Sequence, residues 1–286
     1  RPNHAARAMR SGKFGSIGLA MGPADMELAS IIGIFRVLSQ KGINLVFSEI
    51  PYDKSIAEKF HVPGFFRENM VDGIIVHAGV FDNPRMPDLL EKPNVPTVIV
   101  IGNKKNNCVF PDFEAVIPCA FDNLVKFGYK KIVYIGPVKA PFHHYSYSIY
   151  KTFKAWSEKH KTAWYYTVAT DSSIPESSWN SELSELIRNE KSSMAFIAPS
   201  VSEARRCYAL ALFNQKKIPE DIGILAFTTR REHSDSGLNF SSYIYSSYEL
   251  GEEAARLILK RIEQNGASLP NVKIRLKYFD GETLKN

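Results

Sequence analysis

The sequence predicts an α/β protein of two stacked lobes, each built on a mostly parallel sheet. Three observations carry that expectation. The apolar runs are short and non-alternating, as in strands covered by helices on both faces. Longer stretches with helical periodicity separate them, giving a βαβα rhythm along the chain. The chain has 286 residues, and its roughly ten strands are many for a single sheet.

The elements follow in order. Ile17-Gly18-Leu19-Ala20-Met21 reads as a buried strand. A helix is expected from Met26 to Lys41, with apolar residues at Leu28, Ile31, Ile32, Phe35 and Leu38, and Gly42 stops it. Strands at 44–47, 73–76 and 97–101 come next, with a helix over 55–69 between the first two. A helix over 114–127 ends at Gly128 and leads into a strand at 131–135. The rhythm continues with helix 147–159, strand 163–168, helix 178–189, strand 194–197, helix 202–215 and strand 223–227. A short strand at 242–245, a helix over 250–265 and a strand at 272–276 complete the pattern.

In open parallel sheets, ligands bind beyond the carboxyl ends of the strands. The loops that matter are therefore Gly22–Met26, Ser48–Asp53, His77–Asp82, Gly102–Cys108, Gly136–Tyr147, Ala198–Ser202 and Thr228–Ser236.

Composition narrows the function classes. Hydrophobic residues make up 44% and charged residues 23%, which excludes disordered, collagen-like and coiled-coil chains. No run approaches the roughly 18 apolar residues that cross a bilayer, and residues 1–15 hold no apolar core of an export signal. Cys108, Cys119 and Cys207 are odd in number and lack metal-ligand spacing, which fits a reducing cytoplasm. Cys108 and Cys119 read as packing thiols. The sequence has no phosphate-cradling GxxxxGK[ST], no GxGxxG after the first strand, no GxSxG and no HExxH, so a non-enzyme without cofactor or metal is expected. The pair His143-His144 has no carboxylate or cysteine partner in sequence and reads as a loop pair.

The net charge is +6, and Arg1, Arg7, Arg10 and Lys13 precede the first acid, Asp25. The rest of the chain is nearly neutral. Two readings of this basic arm stand: a solvated tail, and a segment that touches nucleic acid. Pro2 suits a helix start, Ala5, Ala6 and Ala8 favour helix, and Gly12 stops it. Such a helix of about two turns is marginal alone in water and suits folding on contact with DNA.

The run Arg1-Pro2-Asn3-His4-Ala5-Ala6-Arg7-Ala8-Met9-Arg10-Ser11-Gly12, followed by Gly15-Ser16-Ile17-Gly18-Leu19, resembles the hinge helix and first core strand of the LacI/GalR family of bacterial transcription regulators. Val71-Asp72-Gly73-Ile74-Ile75-Val76 and Pro96-Thr97-Val98-Ile99-Val100-Ile101 are similar to two further strands of that family. Phe127-Gly128-Tyr129-Lys130-Lys131-Ile132, Ile218-Pro219-Glu220-Asp221-Ile222-Gly223-Ile224 and Tyr248-Glu249-Leu250-Gly251-Glu252-Glu253-Ala254 resemble three more of its motifs, in the same order.

The resemblance implies a periplasmic-binding-protein-like (type I) core, two doubly wound subdomains joined by three crossovers. It implies a homodimer that binds operator DNA and a small-molecule effector, a saccharide or related metabolite favoured, held in the cleft between lobes. It places the hinge remnant at 1–14, the N-terminal lobe at 15–128 with 245–270, and the C-terminal lobe at 129–244 with 271–286. It also implies a preceding helix-turn-helix headpiece, so a trimmed fragment is expected. Asn3, Ala6 and Arg7 match groove- and backbone-facing hinge positions, and Met9 stands where the family has an apolar wedge that unstacks a base step.

The resemblance and the strand-end loops together give a candidate effector set: Asp25, Met26, Ser48, His77, Asp112, Tyr147, Ile149, Ser200, Thr228 and Tyr245. Three of these depart from the family's sugar-binding pattern. Ile149 replaces an arginine, Ser200-Val201 an Asn-Asp pair, and Thr228 an aspartate. A saccharide held by aromatic stacking, a less polar or cationic ligand, and a cleft without an effector all remain open. Asp112 has two readings, effector ligand and helix N-cap. The rival class is a solute-binding receptor with the same two-lobed core, and the hinge-like arm distinguishes the two.

Overall fold

A computed structural model describes residues 13–22, 27–50, 64, 70–82, 95–102, 104–138, 145–160, 164–169, 175–235 and 237–285. The chain divides into two compact units. Unit 1 holds the described residues through Pro111 and Ser247–Ile274. Unit 2 holds those between Asp112 and Ser246 and from Arg275 onward.

Unit 1 is a six-stranded sheet in the order β11-β5-β4-β3-β1-β2. Its strands are β1 (Ser16–Met21), β2 (Asn44–Glu49), β3 (Gly73–His77), β4 (Thr97–Val100), β5 (Cys108–Pro111) and β11 (Val272–Ile274). All five of its ladders are parallel. β1 is buried at every residue and β3 at all but His77, as their unbroken apolar runs require. β2, at the sheet edge, is largely exposed. Asp72 ties the start of β1 to β3: its carboxylate accepts from the N–H groups of Phe14 and Gly15, both at 2.7 Å.

Two helices of this unit, α1 (Leu28–Gln40) and α7 (Ser247–Glu263), pack backbone against backbone. A Cβ on Gly33 would overlap the Tyr248 carbonyl, and one on Gly251 would overlap the Ser30 carbonyl. Because the contact runs through Ser30, Gly33, Ile34 and Val37, α1 is rotated from the face its sequence suggested. Leu28, Ile32 and Phe35, expected inside, are 55%, 47% and 57% exposed.

Unit 2 has the sheet order β12-β10-β9-β8-β6-β7. It comprises β6 (Lys131–Gly136), β7 (Trp164–Ala169), β8 (Met194–Ala198), β9 (Ile222–Thr229), β10 (Ser241–Tyr245) and β12 (Lys277–Phe279), with helices α2 (Phe113–Lys126), α3 (Tyr145–Lys159), α4 (Glu176–Asn189), α5 (Val201–Phe213) and α6 (Arg230–Asp235). Only β12 is antiparallel, against β10. One core face gathers Val133, Ile135, Leu183, Ile187, Phe196, Ala204, Cys207 and Ile224, all fully buried.

Three expectations are corrected. Residues 112–128 were assigned to the N-terminal lobe, yet α2 belongs to unit 2. Phe121 packs edge-on against Phe153 and Trp156 of α3, and the Trp156 indole donates to Asp122 Oδ1 at 2.9 Å. The single strand expected at 272–276 is two, β11 completing one sheet and β12 the other. Cys119 is exposed on α2 rather than packed, while Cys108 and Cys207 are buried. Among the described residues, the chain passes between units at 111/112, 246/247 and 274/275. The helix expected over 55–69 lies almost wholly outside the described residues.

Candidate functional site

In unit 1 the carboxyl ends of three adjacent strands gather two of the expected residues. Ser48 on β2 lies level with Ala20 of β1, which also pairs with Val76 of β3; His77 is one step beyond. Both side chains are half-buried. The loop after β1 that holds Asp25 and Met26 lies outside the described residues, as do the hinge positions Asn3, Ala6, Arg7 and Met9 and the pair His143-His144.

In unit 2 the ends of β8, β9 and β10 lie side by side and carry Ser200, Thr228 and Tyr245. Each is already engaged locally. Ser200 is the N-cap of α5: its hydroxyl accepts from the Ser202 N–H at 3.0 Å and donates to the Glu203 carboxylate. The Ser200 hydroxyl thus satisfies one of the N–H groups that the first helical turn leaves open, and Glu203 in turn holds that hydroxyl. Thr228 is almost wholly buried and donates to Glu232 Oε2 at 2.9 Å. The same oxygen accepts from the Thr229 N–H and hydroxyl, each at 3.2 Å, and the Glu232 N–H returns a bond to Thr229 Oγ1. Thr229-x-x-Glu232 is a capping box, opening the short helix α6.

Tyr245 stands in an aromatic cluster. Its ring meets Phe113 edge-on at 6.3 Å, Phe113 meets Phe227 at 6.0 Å, and Phe227 stacks on Tyr243 at 5.6 Å. Phe113 follows Asp112, so this packing brings the start of α2 to the ends of β9 and β10. Asp112 holds the N-cap position of α2, but its side chain makes no capping hydrogen bond, which weakens the capping reading for it. Ile149 is fully buried in α3 and presents no surface to solvent. Tyr147 lies in the same helix; its side chain is outside the described residues.

Sequence reasoning missed Glu232, Phe113 and Phe227. The signal for Glu232 was present as Thr229-x-x-Glu232, a helix-start pattern directly after a buried strand. Phe227 and Phe113 flank positions that were singled out for polar chemistry.

Burial raises the pKa of the Cys108 and Cys207 thiols, the opposite of what nucleophilic chemistry requires. Among the described residues no three His, Cys, Asp or Glu side chains gather as metal ligands, and no helix is long and apolar enough to cross a membrane.

The sequence pattern of the periplasmic binding protein-like domain family matches residues 121–284. Over its whole length the chain is 26% identical to the ribose operon repressor of Lactococcus lactis, covering 85% of that protein. The lac repressor dimer bound to operator and the anti-inducer ONPF shares the fold, with a TM-score of 0.77 at 12% identity, covering 100% of this chain and 99% of that one. So does a LacI family transcriptional regulator from Enterococcus faecium with bound ribose, with a TM-score of 0.72 at 16% identity over 95% of this chain and 99% of that one. A family match over more than half the chain, motifs in matching order, and two mostly parallel sheets of six strands with alternating helices converge: the chain belongs to the periplasmic binding protein-like family, as an effector-binding core of the LacI/GalR type.

Proposed function

We propose that this chain is the effector-sensing and dimerisation core of a cytoplasmic, non-catalytic DNA-binding transcription regulator, and that its effector is a saccharide or related metabolite. The observation that carries the reading is the convergence of Ser200, Thr228 and Tyr245 at one end of the unit 2 sheet, beside the aromatic cluster. Such an end is where parallel α/β sheets bind small molecules. The likeness to a ribose operon repressor and to a regulator with bound ribose supports a pentose. Aromatic rings suit the apolar face of a sugar, and hydroxyl and carboxylate groups its rim.

An effector with unequal affinity for the DNA-competent and DNA-incompetent states shifts their populations and so operator affinity. The hinge, with Asn3, Ala6 and Arg7 facing DNA and Met9 as wedge, converts that shift into a change in grip. What supports a homodimer is the apolar row of Leu28, Ile32 and Phe35 on α1, together with Val46 and Phe47 on the edge strand β2, all at least 40% exposed.

The test is calorimetric titration of the chain with D-ribose, D-xylose and D-glucose. Binding of at least one sugar is expected, weakened tenfold or more by Tyr245→Ala and by Thr228→Val. Absence of binding, or binding indifferent to both substitutions, refutes the assignment.

A further inference from the structure

Of the 17 glycines, only Gly266 follows an asparagine. Asn-Gly is the dipeptide most prone to spontaneous loss of the asparagine amide. Glycine has no Cβ to hinder attack by its own backbone nitrogen on the preceding side chain. Asn265 is exposed, and its side-chain amide takes no hydrogen bond among the described residues.

The two residues form the turn that ends a helix. α7 runs to Glu263, and Asn265 and Gly266 then take left-handed backbone, at φ 51° and 81°. The turn lets the Gly266 N–H fold back and donate to the Arg261 carbonyl at 2.8 Å, while the Asn265 N–H donates to the Ile262 carbonyl at 3.2 Å. The Arg261 side chain closes the turn from the other side. Its Nε donates to the Ala267 carbonyl at 3.0 Å, Nη2 to the Gly266 carbonyl at 2.8 Å, and Nη1 to the Thr97 carbonyl of β4. One residue thus holds Gly266 at both its nitrogen and its oxygen.

Loss of the amide needs that grip released. The Gly266 nitrogen becomes a nucleophile only after giving up its proton to base, and that proton is the one bonded to the Arg261 carbonyl. The nitrogen then attacks Asn265 Cγ. The N–Cγ bond forms, the bond from Cγ to the amide nitrogen breaks, and that nitrogen takes up a proton and leaves as ammonia. Water opens the resulting five-membered imide at either carbonyl, leaving aspartate or isoaspartate. Both products put a negative charge at the C-terminal end of α7, where the helix dipole disfavours it. Isoaspartate also lengthens the main chain by one methylene.

We propose that Asn265-Gly266 is a self-modification site and that Arg261 is its gate. Conversion proceeds through local opening of the turn, not from the closed form. Its effect falls on the lead into β11. Four residues on, the Leu269 N–H donates to Asn107 Oδ1 at 2.8 Å and the Leu269 carbonyl accepts from the Asn107 N–H at 2.9 Å, an alignment that a longer main chain at 265 displaces.

Intact mass and peptide mapping of the full chain at pH 8.5 and 37 °C test the proposal, with incubation continued until a tenth of the chains have gained one mass unit. The gain is expected at residue 265, at a rate at least tenfold below that of the same chain in 6 M guanidinium chloride. Asn265→Gly, which keeps the left-handed backbone, abolishes this first gain. Arg261→Met, its fold checked by circular dichroism, speeds conversion at least fivefold. Hydrogen exchange on the unaltered chain gives a second reading that needs no variant: the Gly266 amide is expected to exchange at least tenfold more slowly than in an unstructured peptide. A first gain at another asparagine overturns the site. Equal rates in folded and unfolded chains, an unprotected Gly266 amide, or a folded Arg261→Met variant no faster than the unaltered chain overturns the gate.

Discussion

Replacing Gly251 by alanine sets two effects of opposite sign against each other. Alanine is the better helix former by about 1 kcal/mol, so a surface glycine of α7 gains stability on this change. Gly251 is instead buried against α1. Its Cβ would overlap the Ser30 carbonyl oxygen and lie 3.1 Å from the Ile34 nitrogen, both backbone atoms that no rotamer change moves away. The helices must separate by about 1 Å, which forfeits a quarter to a half of the dispersion well at each contact along the crossing. Overpacking of this kind costs up to about 3 kcal/mol. The net effect is a loss of about 2 kcal/mol, or roughly 4–8 °C in melting temperature for a unit of this size. Gly33→Ala, on the facing helix, is expected to match it, because its Cβ meets the Tyr248 carbonyl and lies 3.0 Å from the Glu252 nitrogen. Differential scanning calorimetry of both variants reads the sign directly. A melting temperature equal to or above that of the unaltered chain refutes the backbone-contact account of this crossing.

Four further outcomes are expected. Tyr129→Phe leaves the Pro219 carbonyl and the Lys285 N–H without the hydroxyl that serves both at 3.0 Å, and urea titration should show a loss of about 1–3 kcal/mol. Burial pushes the Tyr129 phenol up to about 12, so the unfolded chain loses that proton first; the stabilisation is complete below pH ~10 and is lost as pH rises toward 12, a slope that Tyr129→Phe flattens in alkaline melts. Burial lowers the pKa of His233, whose ring lies 4.3 Å from that of Phe279. The unfolded chain therefore binds the proton first as pH falls below about 6.5, stability declines there, and His233→Gln should reduce the decline in melts from pH 7 to 5. Ser200→Ala removes the cap of α5 and should cost about 1 kcal/mol by urea titration, whereas Ser200→Asp retains most of it.

The parts of the fold legible in the sequence are those whose burial leaves no choice. Leu19, Ile75, Val98, Ile132, Phe196 and Leu225 sit in runs with no polar alternation, and all lie in strands buried between helix layers. Shorter elements escaped. β5 has four residues including Cys108 and Pro111, too few to set a period, and it is a strand because β4 and β11 pair with it. The helix α6 is six residues long and owes its start to the Thr229–Glu232 box. The buried face of α1 was illegible for another reason. Its side chains are apolar on two faces, and the inward one is chosen by the glycine contact with α7, more than 200 residues away in sequence.

For the site, Ser48 and His77 lie at strand ends of unit 1, and Ser200, Thr228 and Tyr245 at strand ends of unit 2. The partners that engage Ser200 and Thr228, Glu203 and Glu232, came into view only with side-chain geometry. Residue type alone suggested hydroxyls open to a ligand; the structure has Ser200 engaged as the cap of α5 and Thr228 donating to Glu232.

The division of labour between β11 and β12 bears on how the protein is made. Eight consecutive residues, 272–279, supply the outermost strand of both sheets. Until they leave the ribosome, β5 and β10 each present a bare row of amide groups, and neither half has its full complement of strands. Synthesis must therefore pass residue 279 before either half has its full set of strands, so a nascent chain stalled near residue 270 carries two unpaired strand edges at once.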